Sequence, residues 1–64
     1  ALTGAIRRGD AGTVAAHLAA LTPGDRRIYG ALGLEALALS RAAGLAEKSA
    51  AELERLLTDA ATGR

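Results

Sequence analysis

The sequence predicts an all-α fold, and three observations carry that prediction. Half of the residues are apolar, yet Tyr29 is the only aromatic side chain, and Ile6, Val14 and Ile28 are the only Val or Ile residues. Strands favour those residue types, whereas Ala, which supplies much of the apolar content here, favours helix. Apolar residues also recur at helical spacing in three stretches, and those stretches are separated by residues that start and stop helices. The expectation is three helices over about residues 11–21, 23–43 and 46–60, forming one partial domain over 1–64, a fragment of a larger helical domain.

Residues 1–9 hold no sustained period and read as a loop, with Gly4 and Gly9 at turns. Asp10 is a good N-cap, and Val14, Leu18 and Leu21 then follow at helical spacing. The faces beside them are mostly Ala, with Thr13 and His17 on the flank, so another helix can come close. Thr22-Pro23-Gly24-Asp25 opens the second helix, either with Thr22 as cap, a proline at N1 and an acid at N3, or with Asp25 itself as the cap. Gly44 closes that helix. In the third, Ala46, Ala50, Leu53, Leu56, Leu57 and Ala60 form one stripe. Lys48, Glu52, Glu54, Arg55 and Asp59 lie opposite, where Lys48–Glu52 and Arg55–Asp59 have i,i+4 spacing. The last residues, 61–64, are expected to fray.

The second helix is apolar on two sides. Ile28, Leu32, Ala36, Leu39 and Ala43 share one face with Tyr29 at its edge, while Leu34 and Leu37 point nearly the other way with Gly30 and Ala38. Two short neighbours can cover one side of such a helix, which is normally buried all round. The expectation is that they cover Ile28, Leu32 and Leu39. Gly30, Gly33, Leu34 and Leu37 would then form an interface with a second copy or with a missing domain.

A chain of 64 residues has a thin stability margin, normally reinforced by disulfides, a metal or oligomerisation. There is no cysteine, and the single His17 has no second histidine to share a metal. The net charge of +1 does not point to nucleic acid or to an anionic membrane. No apolar run approaches the length of a membrane span and no signal peptide is visible, so a cytoplasmic location is the default expectation. The chain starts Ala-Leu-Thr without Met, which leads us to expect a piece or processed form of a longer protein.

Few residues suggest chemistry. Arg8-Gly9-Asp10 matches a short cell-adhesion tripeptide, but a turn glycine followed by a capping aspartate explains the same residues. Arg7-Arg8 and Arg26-Arg27 are either solvated pairs near helix ends or forks for a phosphate or carboxylate. Arg8 is the better of these, since it adjoins the free N–H groups that open a helix. His17 reads as partly exposed and idle, and Tyr29 as a core or interface residue. No nucleophilic triad, paired-carboxylate site or phosphate-cradling glycine loop can be drawn. The second helix is too apolar, and no element basic enough, for a helix-turn-helix DNA reader.

The run Leu2-Thr3-Gly4-Ala5-Ile6-Arg7-Arg8-Gly9-Asp10, with Thr13-Val14 and His17-Leu18-Ala19-Ala20-Leu21 after it, resembles a known family. It is similar to the C-terminal helical domain, of unknown function, in bacterial Rossmann-type proteins related to ketopantoate reductase and, in fold, to 6-phosphogluconate dehydrogenase. There an LTGPIxRGD-like loop leads into a helix ending in HLAAL. A helix patterned like Tyr29-x-x-Leu32 then continues through Leu37-Ala38-Leu39 to a Gly-Leu turn and a last short helix. The resemblance spans residues 2–57, with Ala5 standing where the family usually has Pro, a substitution that frees the loop. It implies a whole protein that is an NADP-binding, oxidoreductase-like enzyme of unestablished substrate. By the same resemblance this segment binds no cofactor of its own, closes a cleft lined by Thr3, Gly4 and Arg8, and forms a dimer or packs on the missing Rossmann domain. The rival expectation is a stand-alone helical module for protein–protein interaction.

Overall fold

A computed structural model describes residues 4–64 as four α-helices: α1 (Gly4–Arg8), α2 (Ala11–Ala20), α3 (Pro23–Ala42) and α4 (Glu47–Ala61). No strand occurs among the described residues. The all-α expectation holds, with one more helix than the sequence suggested. Gly4–Arg8 is helical where a loop was expected, because five residues are too few to display a period and tertiary packing holds them. Ile6 is 1% exposed and Ala5 is buried beside it.

Each boundary has a local cause. Gly9 has φ +72°, a conformation that other residues rarely adopt. There its N–H donates to the Ile6 carbonyl at 3.0 Å and the Asp10 N–H donates to the Ala5 carbonyl at 2.8 Å, the paired bonds of a Schellman turn. Asp10 then caps α2 by accepting from the Thr13 N–H at 3.1 Å and the Thr13 hydroxyl at 2.6 Å. Adhesion chemistry is therefore not needed to account for Arg8-Gly9-Asp10. Thr22 caps α3 through the Asp25 N–H at 3.2 Å, with Pro23 at its first position. The Schellman pattern recurs at Gly44, where Leu45 N–H reaches the Ser40 carbonyl at 2.9 Å. It recurs again at Gly63, where Arg64 N–H reaches the Asp59 carbonyl at 2.8 Å, so the tail expected to fray closes in a turn. α4, unlike α2 and α3, has no side-chain cap, since Ala46 occupies that position.

α3 sets the shape. Its 20 residues at about 1.5 Å each match the molecule's 31 Å long dimension, and the other two dimensions are 18 Å. α4 packs along it, with α1 and α2 closing the remaining sides of one core. The α4 stripe holds from Ala50 onward: Ala50, Leu53 and Leu57 are fully buried, Ala60 is buried and Leu56 is half-buried, while Ala46 is exposed at the N-cap position. The expected Lys48–Glu52 and Arg55–Asp59 pairs are not among the ion pairs of the described residues. Glu54 instead reaches across to Arg41 of α3 at 2.7 Å, and Glu47 reaches the same guanidinium at 3.0 Å.

The faces of α3 are exchanged relative to expectation. Tyr29, Gly30, Gly33, Leu37 and Ser40 face the core, while Ile28, Leu32 and Leu39 are 61%, 56% and 74% exposed. Periodicity could not choose between two apolar faces, and side-chain size made the choice. A Cβ at Gly30 would lie 2.6 Å from the Ala61 nitrogen and 2.7 Å from the Leu57 carbonyl oxygen, so α4 lies against the bare backbone of α3. At Gly33 the Leu57 side chain fills the place of a side chain, with a methyl 2.6 Å from where Cβ would be. Neither Ile28 nor Leu32 could admit another helix so closely.

Candidate functional site

The largest unexplained feature of the molecule is the outward face of α3. At about 100° per residue, Asp25, Ile28, Leu32, Leu39 and Ala43 fall within an arc of about 60°, and Glu35 sits just past the Ile28 edge. All six are exposed. Isolated exposed leucines are ordinary, whereas here three large apolar side chains share one exposed face of a single helix.

One end of the stripe is shaped by α1. A shallow groove of about 280 Å³ is lined by Arg7, Ala36, Leu39, Ser40 and Ala43. The Ser40 hydroxyl in it is already used, donating to the Ala36 carbonyl at 2.9 Å. Arg7 is exposed and joins no ion pair among the described residues. At the other end of the stripe stands Asp25, also exposed and outside those pairs. The apolar face thus carries an anion at its N-terminal end and a cation beside its C-terminal end.

The residues singled out from the sequence fall elsewhere. Of the interface candidates, Gly30, Gly33 and Leu37 are consumed by the core, and Leu34 is half-buried against it. They are therefore corrected from an outer interface to the contact between α3 and the other helices. Of the cleft candidates, Thr3 lies outside the described residues, and Gly4 begins α1. Arg8 is exposed and lies 3.9 Å from the Asp10 carboxylate. The expected anion preference at the start of α2 is met internally: the Asp10 carboxylate occupies the free Thr13 N–H. The Thr13 hydroxyl, then its backbone N–H, hold the Asp10 carboxyl below its ordinary range.

Three arrangements were missed. Arg26 is not simply solvated: its Nε and Nη2 donate to the Leu18 and Leu21 carbonyls, each at 3.1 Å, and so close the C-terminal end of α2. The Tyr29 hydroxyl lies 3.0 Å from His17 Nδ1, which gives a buried phenol its hydrogen-bond partner. Burial raises the Tyr29 pKa. Arg41 bridges Glu47 and Glu54, and its hydrogen bond to Glu54 is the main cause of its raised pKa. The signal available for the Tyr29 pairing was that a buried tyrosine hydroxyl needs a partner. For the Arg26 and Arg41 contacts the sequence carried no periodic signal, since each spans a helix junction.

These contacts are structural. Among the described residues no three His, Asp or Glu side chains gather to hold a metal ion. No helix is long and apolar enough to cross a membrane. A dinucleotide is held by a glycine-rich turn between a strand and a helix, and the described residues do not fit one. Their glycine turns end helices, and the start of α2 is filled by Asp10.

The family model for "Domain of unknown function (DUF2520)" matches residues 1–36, which take in α1, α2 and α3 as far as Ala36. No curated protein and no solved structure gives a significant match.

Proposed function

The chain belongs to the DUF2520 family, and from that premise we propose that it is a non-catalytic, dimer-forming helical segment of a dehydrogenase-like, NADP-binding protein. The observation that carries the reading is the exposed stripe of Ile28, Leu32 and Leu39, which serves as a docking surface. The enzymatic half of the reading rests on the resemblance of Leu2–Asp10 and of His17–Leu21 to the helical domain of ketopantoate-reductase-like proteins. In that arrangement Thr3, Gly4 and Arg8 are the cleft candidates. α3 faces the partner. The cofactor belongs to the Rossmann half, which alone would supply the phosphate-binding turn. This segment defines no substrate.

Two measurements test the reading. Titration calorimetry of this chain with NADP or NAD is expected to give no saturable heat, and micromolar binding would overturn the division of labour. The coding sequence immediately upstream of Ala1 is expected to hold a strand–GxGxxG–helix pattern. A start codon there would favour the second reading, a stand-alone helical interaction module. That reading is supported by a core of Ile6, Val14, Leu37, Leu53 and Leu57 that closes within the chain.

A further inference from the structure

We infer that the partner on α3 is a second copy of this chain, packed antiparallel, with Asp25 of each copy set against Arg7 of the other. The inference rests on the dimer-forming reading above and adds the geometry and the charges that set its register. The exposed Ile28 and Leu39 lie on one face of α3, and the point midway between them falls close to Leu32. An antiparallel two-fold axis there lays Ile28 of one helix beside Leu39 of its partner, twice over. Two-fold pairs of this kind are the commonest closed assembly and require a self-complementary surface.

The charges fit that axis and no parallel one. At about 1.5 Å per residue Asp25 lies about 13 Å to one side of the midpoint, and Ala43 about 14 Å to the other. Arg7 shares the groove that runs from Ala36 to Ala43. Asp25, Ala36 and Ala43 lie on the same flank of the stripe at helical spacing, so the axis brings each Asp25 alongside the other copy's Arg7. A parallel pair would gather both Asp25 residues at one end and both Arg7 residues at the other, with no Asp25 beside an Arg7. Both residues are exposed and outside the ion pairs of the described residues, so neither has an internal partner to give up. Glu35 lies on the opposite flank near the midpoint, facing its own copy across the solvated rim. That repulsion limits how tight the pair can be.

The test is a charge exchange read by sedimentation equilibrium over a range of protein concentration, with helix content followed by circular dichroism. Arg7→Glu and Asp25→Arg are each expected to weaken the dimer about 3- to 30-fold, the span of two exposed ion pairs. The Arg7→Glu/Asp25→Arg double variant should restore it. As an independent readout, the chain has no cysteine of its own. An equimolar mixture of Ile28→Cys and Leu39→Cys proteins should therefore oxidise mainly to the mixed disulfide. Self-linked Leu39→Cys dimers in preference would overturn the antiparallel geometry. Single variants that leave association unchanged, or a double variant that fails to restore it, would overturn the register while the dimer stands. A parent that stays monomeric at millimolar concentration would overturn this inference and the dimer-forming reading together.

Discussion

The inner and outer faces of α3 both carry large apolar residues and differ in whether glycines stand between them. The inner face carries Gly30, Gly33 and Ser40 beside Tyr29 and Leu37, and the outer one carries Ile28, Leu32 and Leu39 with no glycine. Where side chains are absent, α4 comes down onto backbone. Where they are large, the helix is left facing solvent. The difference teaches that in a chain with little core volume the glycines, rather than the leucines, mark which surface is closed first. The bulkier face is left open to solvent.

The largest effect should come from breaking the inner face. Leu57 is fully buried against Gly33, so Leu57→Ala should cost about 2–5 kcal/mol in denaturant unfolding. Natural domains hold only about 5–15 kcal/mol in all, so that variant should be largely unfolded at modest urea concentration. Gly30→Ala should come next, at about 1–3 kcal/mol of destabilisation, because the atoms a methyl would strike are backbone and move only with α4. Its control is Gly24→Ala in the first turn of the same helix, where nothing lies within 4 Å. That change should stabilise by about 0.4–1 kcal/mol, and thermal melts of the two should shift in opposite directions. If both glycines respond alike, close backbone approach does not distinguish the inner face.

Smaller effects sharpen the comparison at the helix ends. Ala46 gives α4 no side-chain cap, so Ala46→Ser should raise stability by about 1 kcal/mol, read from the urea midpoint. The capping of α2 should be visible as a pH dependence. The Thr13 hydroxyl and N–H lower the Asp10 pKa in the folded state. The stabilisation is therefore complete above the unfolded-state pKa and is lost as pH falls through the lower folded-state value. Asp10→Ala should accordingly melt below the parent at neutral pH, with the gap closing under acid. A gap that does not change with pH would mean that the carboxylate's charge contributes nothing to the cap.

The class of the fold and most helix boundaries were legible in the residues themselves. Asp10, Thr22, Pro23 and Gly44 act where they were placed, because capping is a local property of a few adjacent residues. α1 was not legible, since its helix is sustained by Ile6 in a core built from later elements. The candidate site was half legible. That α3 has one face too many followed from its composition, and which face remained open did not. That choice depends on how near α4 can come, a distance that helical periodicity does not encode. The Arg26, Arg41 and His17–Tyr29 contacts were out of reach for the same reason, as each joins residues brought together only by the packing.

The most direct measurement sets Leu37→Asp against Leu39→Asp, two residues apart on one helix. Circular dichroism gives the helix content of each variant and sedimentation equilibrium its mass. Leu37 is 1% exposed, so a carboxylate there should unfold the chain. Leu39 is 74% exposed, so the same carboxylate there should leave the helices intact and shift the chain to monomer. The contradicting result is a Leu39→Asp variant that unfolds like Leu37→Asp, or one that keeps the parent's mass.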